Sequence, residues 1–299
     1  MSRALVLSGG GPVGIAWEAG LLAGLEEQGV DLGAADYILG TSAGSFVGSQ
    51  LAMGRKARDL AAAIMAETER VRPAVAAGSR PGGGQRPSGL AALLPLMQAA
   101  RSGDVDPQAA RREIGKFALA AETMPEEAFI ESFGRQLSHG QAGAWPQRNF
   151  ACSAVDAETG EFVLWSAESK VGLARAVASS CSVPGVYPPI TINGRRYIDG
   201  GMRSGSNADL ATGHELVVVV GLRTATTDPE MSARMRAPLE RELQTLRDGG
   251  ARTELILPDD ASVAAFGVNL MDGRVRPAAA RAGIAQGKAL AASLAAVWG

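Results

Sequence analysis

Apolar residues fall into short blocks separated by glycine-rich turns. Arg3–Leu7 predicts a buried strand, followed by the turn Ser8-Gly9-Gly10-Gly11-Pro12-Val13-Gly14. From Val13 to Gln28, Ile15, Ala19, Leu22 and Leu25 recur at spacings of four, three and three. That period predicts a helix with one apolar face, closed by Gly29. Tyr37–Leu39 predicts a second strand and Ala43–Met53 a second helix. Strand, helix, strand and helix in quick succession are the pattern of a parallel sheet with right-handed crossovers.

The pattern changes over residues 55–147. Ala57–Arg70 is helical in period, and Arg72–Gly89 is rich in Pro and Gly and predicts a mobile loop. Leu90, Leu93, Leu94 and Met97 make a short amphipathic patch, either a flap over a site or a piece of core. The whole stretch Arg72–Met97 is the candidate flap. Pro107–Phe117 and Pro125–Arg135 predict helices, the second with Thr123 and Glu126 spaced as a capping box. Strand pattern resumes at Asn149–Val155 and Phe162–Ser166, and a helix is expected over Val171–Ser179. Ile190–Ile192 and Arg196–Ile198 flank Asn193-Gly194, a type I′ hairpin signal, and Asp199-Gly200-Gly201 follows. Leu216–Gly221 reads as a central strand, Met231–Arg247 as a helix, Thr253–Leu257 as a strand and Pro277–Trp298 as a closing helix.

Composition narrows this picture without redirecting it. The chain has 299 residues, 46% hydrophobic and 20% charged, enough for one large core. No linker divides it, so a single domain over 3–299 is expected, with a helical, partly flexible insertion at 55–147. With 29 Lys+Arg against 31 Asp+Glu, nothing marks a nucleic-acid footprint. Cys152 and Cys181 sit in apolar blocks and read as core thiols. There is no signal-peptide pattern and no apolar run of the roughly 20 residues that span a bilayer. A cytoplasmic protein is the expectation.

Candidate chemistry lies at three glycine-rich turns. Gly40-Thr41-Ser42-Ala43-Gly44, between a strand and a helix, is the arrangement of a nucleophile elbow, which presents the serine hydroxyl on a tight turn. A serine needs a base and donors for an oxyanion. The backbone amides of Gly10 and Gly11, with Gly9 shaping the turn, are the candidate donors. For the base, His214 precedes its strand and so falls on the wrong side of a parallel sheet, while His139 lies in the insertion and cannot be placed. Asp199, at the carboxyl end of its strand and followed by Gly200-Gly201, is the stronger candidate. A competing reading takes Gly9–Gly14 as a dinucleotide fingerprint. That motif wants an acidic residue closing the second strand, and Asp31 and Asp36 come before it.

In order, Gly9–Gly14, Gly40–Gly44 and Asp199–Gly201 resemble the three motifs of the patatin-like phospholipases. The segment from Ala178 through Tyr187-Pro188-Pro189 to Gly201 resembles bacterial members of the family. The resemblance covers about residues 3–221. It implies a three-layer α/β/α fold with a mostly parallel sheet, and a Ser42–Asp199 dyad without a histidine. It also implies an oxyanion hole at Gly10 and Gly11, supported by Gly9, Gly14, Gly40, Gly44, Gly200 and Gly201. The implied reaction is hydrolysis of a fatty acyl ester, of phospholipid or lysophospholipid type, with no metal or other cofactor. Partners would be the lipid and, transiently, a membrane surface; oligomeric state stays open. The family's glycine loop often carries Arg or Lys where this chain has Val13, which removes a positive charge from the head of the first helix. Two alternatives stay open: a nucleotide-binding protein using Gly9–Gly14, and a non-catalytic lipid-binding protein of the same fold.

Overall fold

The computed structural model describes residues 1–71, 88–101, 105–137, 144–222 and 229–299. The elements, in order, are β1 (Arg3–Leu7), α1 (Gly11–Glu27), β2 (Tyr37–Gly40), α2 (Ala43–Ala52), α3 (Ala57–Val71), α4 (Ser88–Arg101), α5 (Pro107–Ala120) and α6 (Glu126–Leu137). Then come β3 (Asn149–Asp156), β4 (Phe162–Trp165), α7 (Leu173–Ser180), β5 (Ile190–Ile192), β6 (Arg195–Asp199) and β7 (Leu216–Val220). The chain closes with α8 (Pro229–Asp248), β8 (Arg252–Ile256), α9 (Asp260–Phe266) and α10 (Arg276–Trp298).

The strands form one sheet in the order β5-β6-β3-β2-β1-β7-β8, with β4 also paired to β3. From β3 to β8 the pairing along this order is parallel, while β4, β6 and β5 pair antiparallel. Strands buried on both faces need apolar residues at every position, which is why β7 reads Leu-Val-Val-Val-Val without alternation. Alternate β7 residues go to opposite faces. Leu216, Val218 and Val220 join the core under α1, α2 and α10, whereas Val217 and Val219 pack with Leu243 and Leu246 of α8.

The helices of the predicted insertion divide between the two faces. Phe129, Ile130 and Leu137 of α6 join the α1 side. On the other face Leu93 of α4 is fully buried with Ile114 and Ala118 of α5 against Val155 and Ile198. Leu93 of the Leu90–Met97 patch therefore packs on the core with Leu96 and Met97 beside it, while Leu94 is exposed, and residues 72–87 of the candidate flap lie outside the described residues. Two local expectations differ. No capping box forms at Thr123, because the Glu126 carboxylate instead accepts hydrogen bonds from Thr191 N (2.6 Å) and Thr191 Oγ1 (2.8 Å). Helix α1 is buried almost all round rather than on one stripe, and Ile15 is less buried than Ala16 and Trp17. Helix α10 covers the face of α1 that the apolar period leaves for water.

One pairing detail positions everything below. Residue Cys152 of β3 pairs both Gly40 of β2 and Trp165 of β4, and Ala154 pairs both Val163 of β4 and Asp199 of β6. A strand has two edges, so β4 occupies one, and β2 and β6 follow each other along the other. Strand β6 runs against β3, so its carboxyl end points at the carboxyl end of β2. The two strands meet end to end, and Ser153 of β3 spans the gap between them.

Candidate active site

Ser42 caps α2 with φ 52 and ψ −115, a left-handed conformation for a residue with a side chain. Such a residue costs about 1–3 kcal/mol and persists where its surroundings over-determine it. Here its N–H donates to Ser180 Oγ at 3.0 Å. Its carbonyl accepts from Ser45 Oγ at 2.6 Å and Cys181 Sγ at 3.1 Å. The turn is pressed against β1. A Cβ on Gly44 would lie 2.1 Å from the Leu7 carbonyl oxygen, and one on Gly40 would lie 2.4 Å from Ser45 Cα. Glycine at these two positions is a steric requirement of the elbow.

Asp199 ends β6 on the other side of the gap. Its N–H donates to the Ser182 carbonyl at 3.0 Å, and its Oδ1 accepts the Gly201 N–H at 2.7 Å. The carboxyl group is 2% exposed, and burial pushes its pKa from 3.8 up to about 7. Hydrogen bonds from the Ser42 hydroxyl and the Gly201 N–H pull the other way. The serine hydroxyl thus acts on the aspartate carboxyl group, from a strand that does not pair with the one carrying Asp199.

Asn207 ties the two turns together. Its Nδ2 lies within donor range of Thr41 Oγ1 (3.0 Å), Ser153 Oγ (3.3 Å), the Gly200 carbonyl (3.3 Å) and the Ser204 carbonyl (2.9 Å). Arg203 holds the other end of the amide, donating to Asn207 Oδ1 at 2.8 Å while forking onto Asp209. Gly200 is needed because a Cβ there would strike Ser153 Oγ at 2.1 Å.

The third turn lies alongside. A Cβ on Gly9 would stand 3.3 Å from Ser42 Cβ, and the Gly44 N–H donates to the Ser8 carbonyl at 3.0 Å. Gly14, one turn into α1, faces Ala43 at a comparable spacing. The amides around the turn are occupied: Ser8 by Val220, Gly9 by Gly205, Val13 by Leu270 and Gly14 by Gly10. Among the described residues no hydrogen bond engages the amides of Gly10 or Gly11. They stand at the amino end of α1, where the partial positive charge of the helix favours an oxyanion.

Of the residues picked out in the sequence, Ser42, Asp199 and the glycines of all three turns come together. His214 does not. Its ring stacks on Tyr37 at 5.4 Å, at the amino end of the sheet. His139 lies outside the described residues. Asp31 and Asp36 bind Lys56 and the Arg3 N–H, remote from the loop. Both cysteines are buried and free, yet Cys181 is more than filler, since its thiol holds the Ser42 carbonyl. Sequence reasoning missed Ser180, Cys181, Ser153 and Asn207 as supports. The available signal was Ser180-Cys181-Ser182, small polar residues at the end of an otherwise apolar helix.

A mostly parallel α/β sheet that gathers a serine elbow, a buried carboxyl group and an amide-bearing glycine turn is an arrangement suited to acyl hydrolysis. The model of the patatin-like phospholipase family matches residues 5–212, and the chain belongs to that family. A comparison with curated proteins returned no match. Among solved structures the chain is similar to VipD from Legionella pneumophila, at 17% identity and a TM-score of 0.48, covering 98% of this chain and 67% of that one. It is also similar to the type III effector ExoU, at 16% identity and a TM-score of 0.40, covering 97% of this chain and 53% of ExoU. A structure of ExoU with SpcU from Pseudomonas aeruginosa aligns at 16% identity and a TM-score of 0.36. The chain spans about half the length of ExoU. Among the described residues no helix is long and apolar enough to cross a membrane.

Proposed function

We propose that this chain hydrolyses fatty acyl esters through a Ser42–Asp199 dyad, with residues 3–299 acting as one catalytic unit. The observation that carries the reading is the Ser42 hydroxyl set close enough to act on a carboxyl group that burial holds near neutrality. A carboxylate with an ordinary pKa is a feeble base at pH 7; one raised to about 7 is matched to the task. Asp199 takes the Ser42 proton as Oγ bonds to the ester carbonyl carbon. The carbonyl oxygen becomes an oxyanion held by the Gly10 and Gly11 amides. Collapse breaks the bond to the alcohol, which leaves with the proton from Asp199. Water then attacks the acyl-enzyme and gives its proton to Asp199. Collapse of the second intermediate returns that proton to Ser42 and frees the fatty acid.

Ser42→Ala and Asp199→Asn each abolish hydrolysis of p-nitrophenyl butyrate while the far-ultraviolet circular dichroism stays that of the parent. A fluorophosphonate labels Ser42 in the parent chain, and intact-mass spectrometry reads the adduct. Full esterase activity in Asp199→Asn would remove the dyad. An unlabelled Ser42, with a melting temperature raised by NAD or ATP, would favour the nucleotide reading of Gly9–Gly14.

A further inference from the structure

The family match ends at residue 212, yet the oxyanion loop is walled by residues beyond it. A Cβ on Gly10 would lie 2.4 Å from Leu222 Cδ2. A Cβ on Gly11, whose φ is +59, would lie 2.8 Å from the Leu270 carbonyl oxygen and 2.9 Å from Met271 Sδ. The same Leu270 carbonyl accepts the Val13 N–H at 3.2 Å, so the segment is fastened to the head of α1. Its own shape is fixed by Asn269, whose Oδ1 accepts the Met271 N–H at 3.2 Å.

Among its described residues the wall presents apolar side chains and carries no net charge. Leu222, Leu270 and Met271 are each only partly buried, and Val268 beside them is 53% exposed. The charges on the segment, Asp272 and Arg274, cancel in a two-point ion pair at 2.8 and 2.7 Å. At the head of α1 the side chain facing inward is Val13, fully buried. Partly exposed Leu222 and Met271 side chains set against Gly10 and Gly11, whose amides no described residue engages, are surface that hydrocarbon covers favourably and a phosphate does not. Methionine adapts to chains of differing shape.

We infer that the side chains of Leu222 and Met271 form the subsite that receives the alkyl part of the ester beside the oxyanion glycines, and that they select for uncharged hydrocarbon there. This rests on the acyl-hydrolase reading above. The experiment compares p-nitrophenyl butyrate, octanoate and dodecanoate on the parent chain, Met271→Ala, the double variant Leu222→Ala with Met271→Ala, and the conservative Met271→Leu. Truncation of the wall lowers kcat/KM for dodecanoate about tenfold more than for butyrate, chiefly through KM. Met271→Leu restores most of the selectivity, and Met271→Glu rejects the longer chains most strongly. Equal losses on all three esters, with an unchanged melting temperature, would overturn the wall as a selectivity device. Fluorophosphonate labelling separates the two levels: a reactive Ser42 with unchanged chain-length ratios removes the subsite alone. An unreactive Ser42 in the parent removes the subsite together with the reading it rests on.

Discussion

The residue that sets the pH response of the site is Asp199. Its folded pKa of about 7 lies above the 3.8 of an exposed aspartate. Activity that needs the ionised form therefore rises with pH, about tenfold per unit below 7, and levels above it. Stability moves the opposite way. The folded state binds the Asp199 proton more tightly than the unfolded state, so this group's contribution is intact below about pH 4 and is lost as pH rises through about 7. Asp199→Asn removes that dependence. The variant gains melting temperature over the parent at pH 8 and much less at pH 5, read by calorimetry at both values. A variant less stable than the parent at pH 8 would contradict the burial account. The glycine turns were legible in the sequence because each serves a backbone need that only one residue type meets. Ser180 and Asn207 were not, because a buried serine or asparagine carries its meaning in what it reaches, and those partners are 138 and 166 positions away.

At the scale of elements, α1 and α10 are the pair most tightly joined. Gly20 and Gly24 of α1 sit against the backbone of α10 at Ala280 and Ile284, where a Cβ would lie 2.2 Å from each carbonyl oxygen. Gly283 and Gly287 of α10 return the contact against Trp17 and Leu21. Above them Gln286 bridges Trp17 Nε1, the Asp259 N–H and the Leu257 carbonyl. The helices approach backbone to backbone, so there is no slack for a side chain. Gly283→Val destabilises the fold by about 3 kcal/mol in urea titration, through overpacking rather than lost propensity. A change under about 1 kcal/mol would show that the helices can separate. This is also where the periodicity of α1 misled. Small residues give little hydrophobic signal, so a face made of Gly20 and Gly24 reads as neutral although it is buried. The central strands β1, β2 and β7 were legible, because a short apolar run between turns has few other uses.

For the whole molecule, the recognisable motifs end near residue 212 but the fold does not. Strands β7 and β8 complete the parallel sheet, and α10 seals the helix that follows the Gly9–Gly11 turn. A chain stopped at residue 257 leaves Trp17, Leu21 and Leu25 open to water, and it is expected to lack a cooperative thermal transition. Retained cooperative unfolding in that truncation would show that residues 5–212 hold the core alone. The end-to-end meeting of β2 and β6 carries a different consequence. The spacing of the Ser42 and Asp199 turns is counted in residues of a third strand: Gly40 is indexed to Cys152 and Asp199 to Ala154, two steps or about 6.6 Å along β3. Neither turn needs the other to be covalently near. New chain ends opened at Asn193-Gly194, with the old ends joined, therefore leave the ruler and the pair it measures in place.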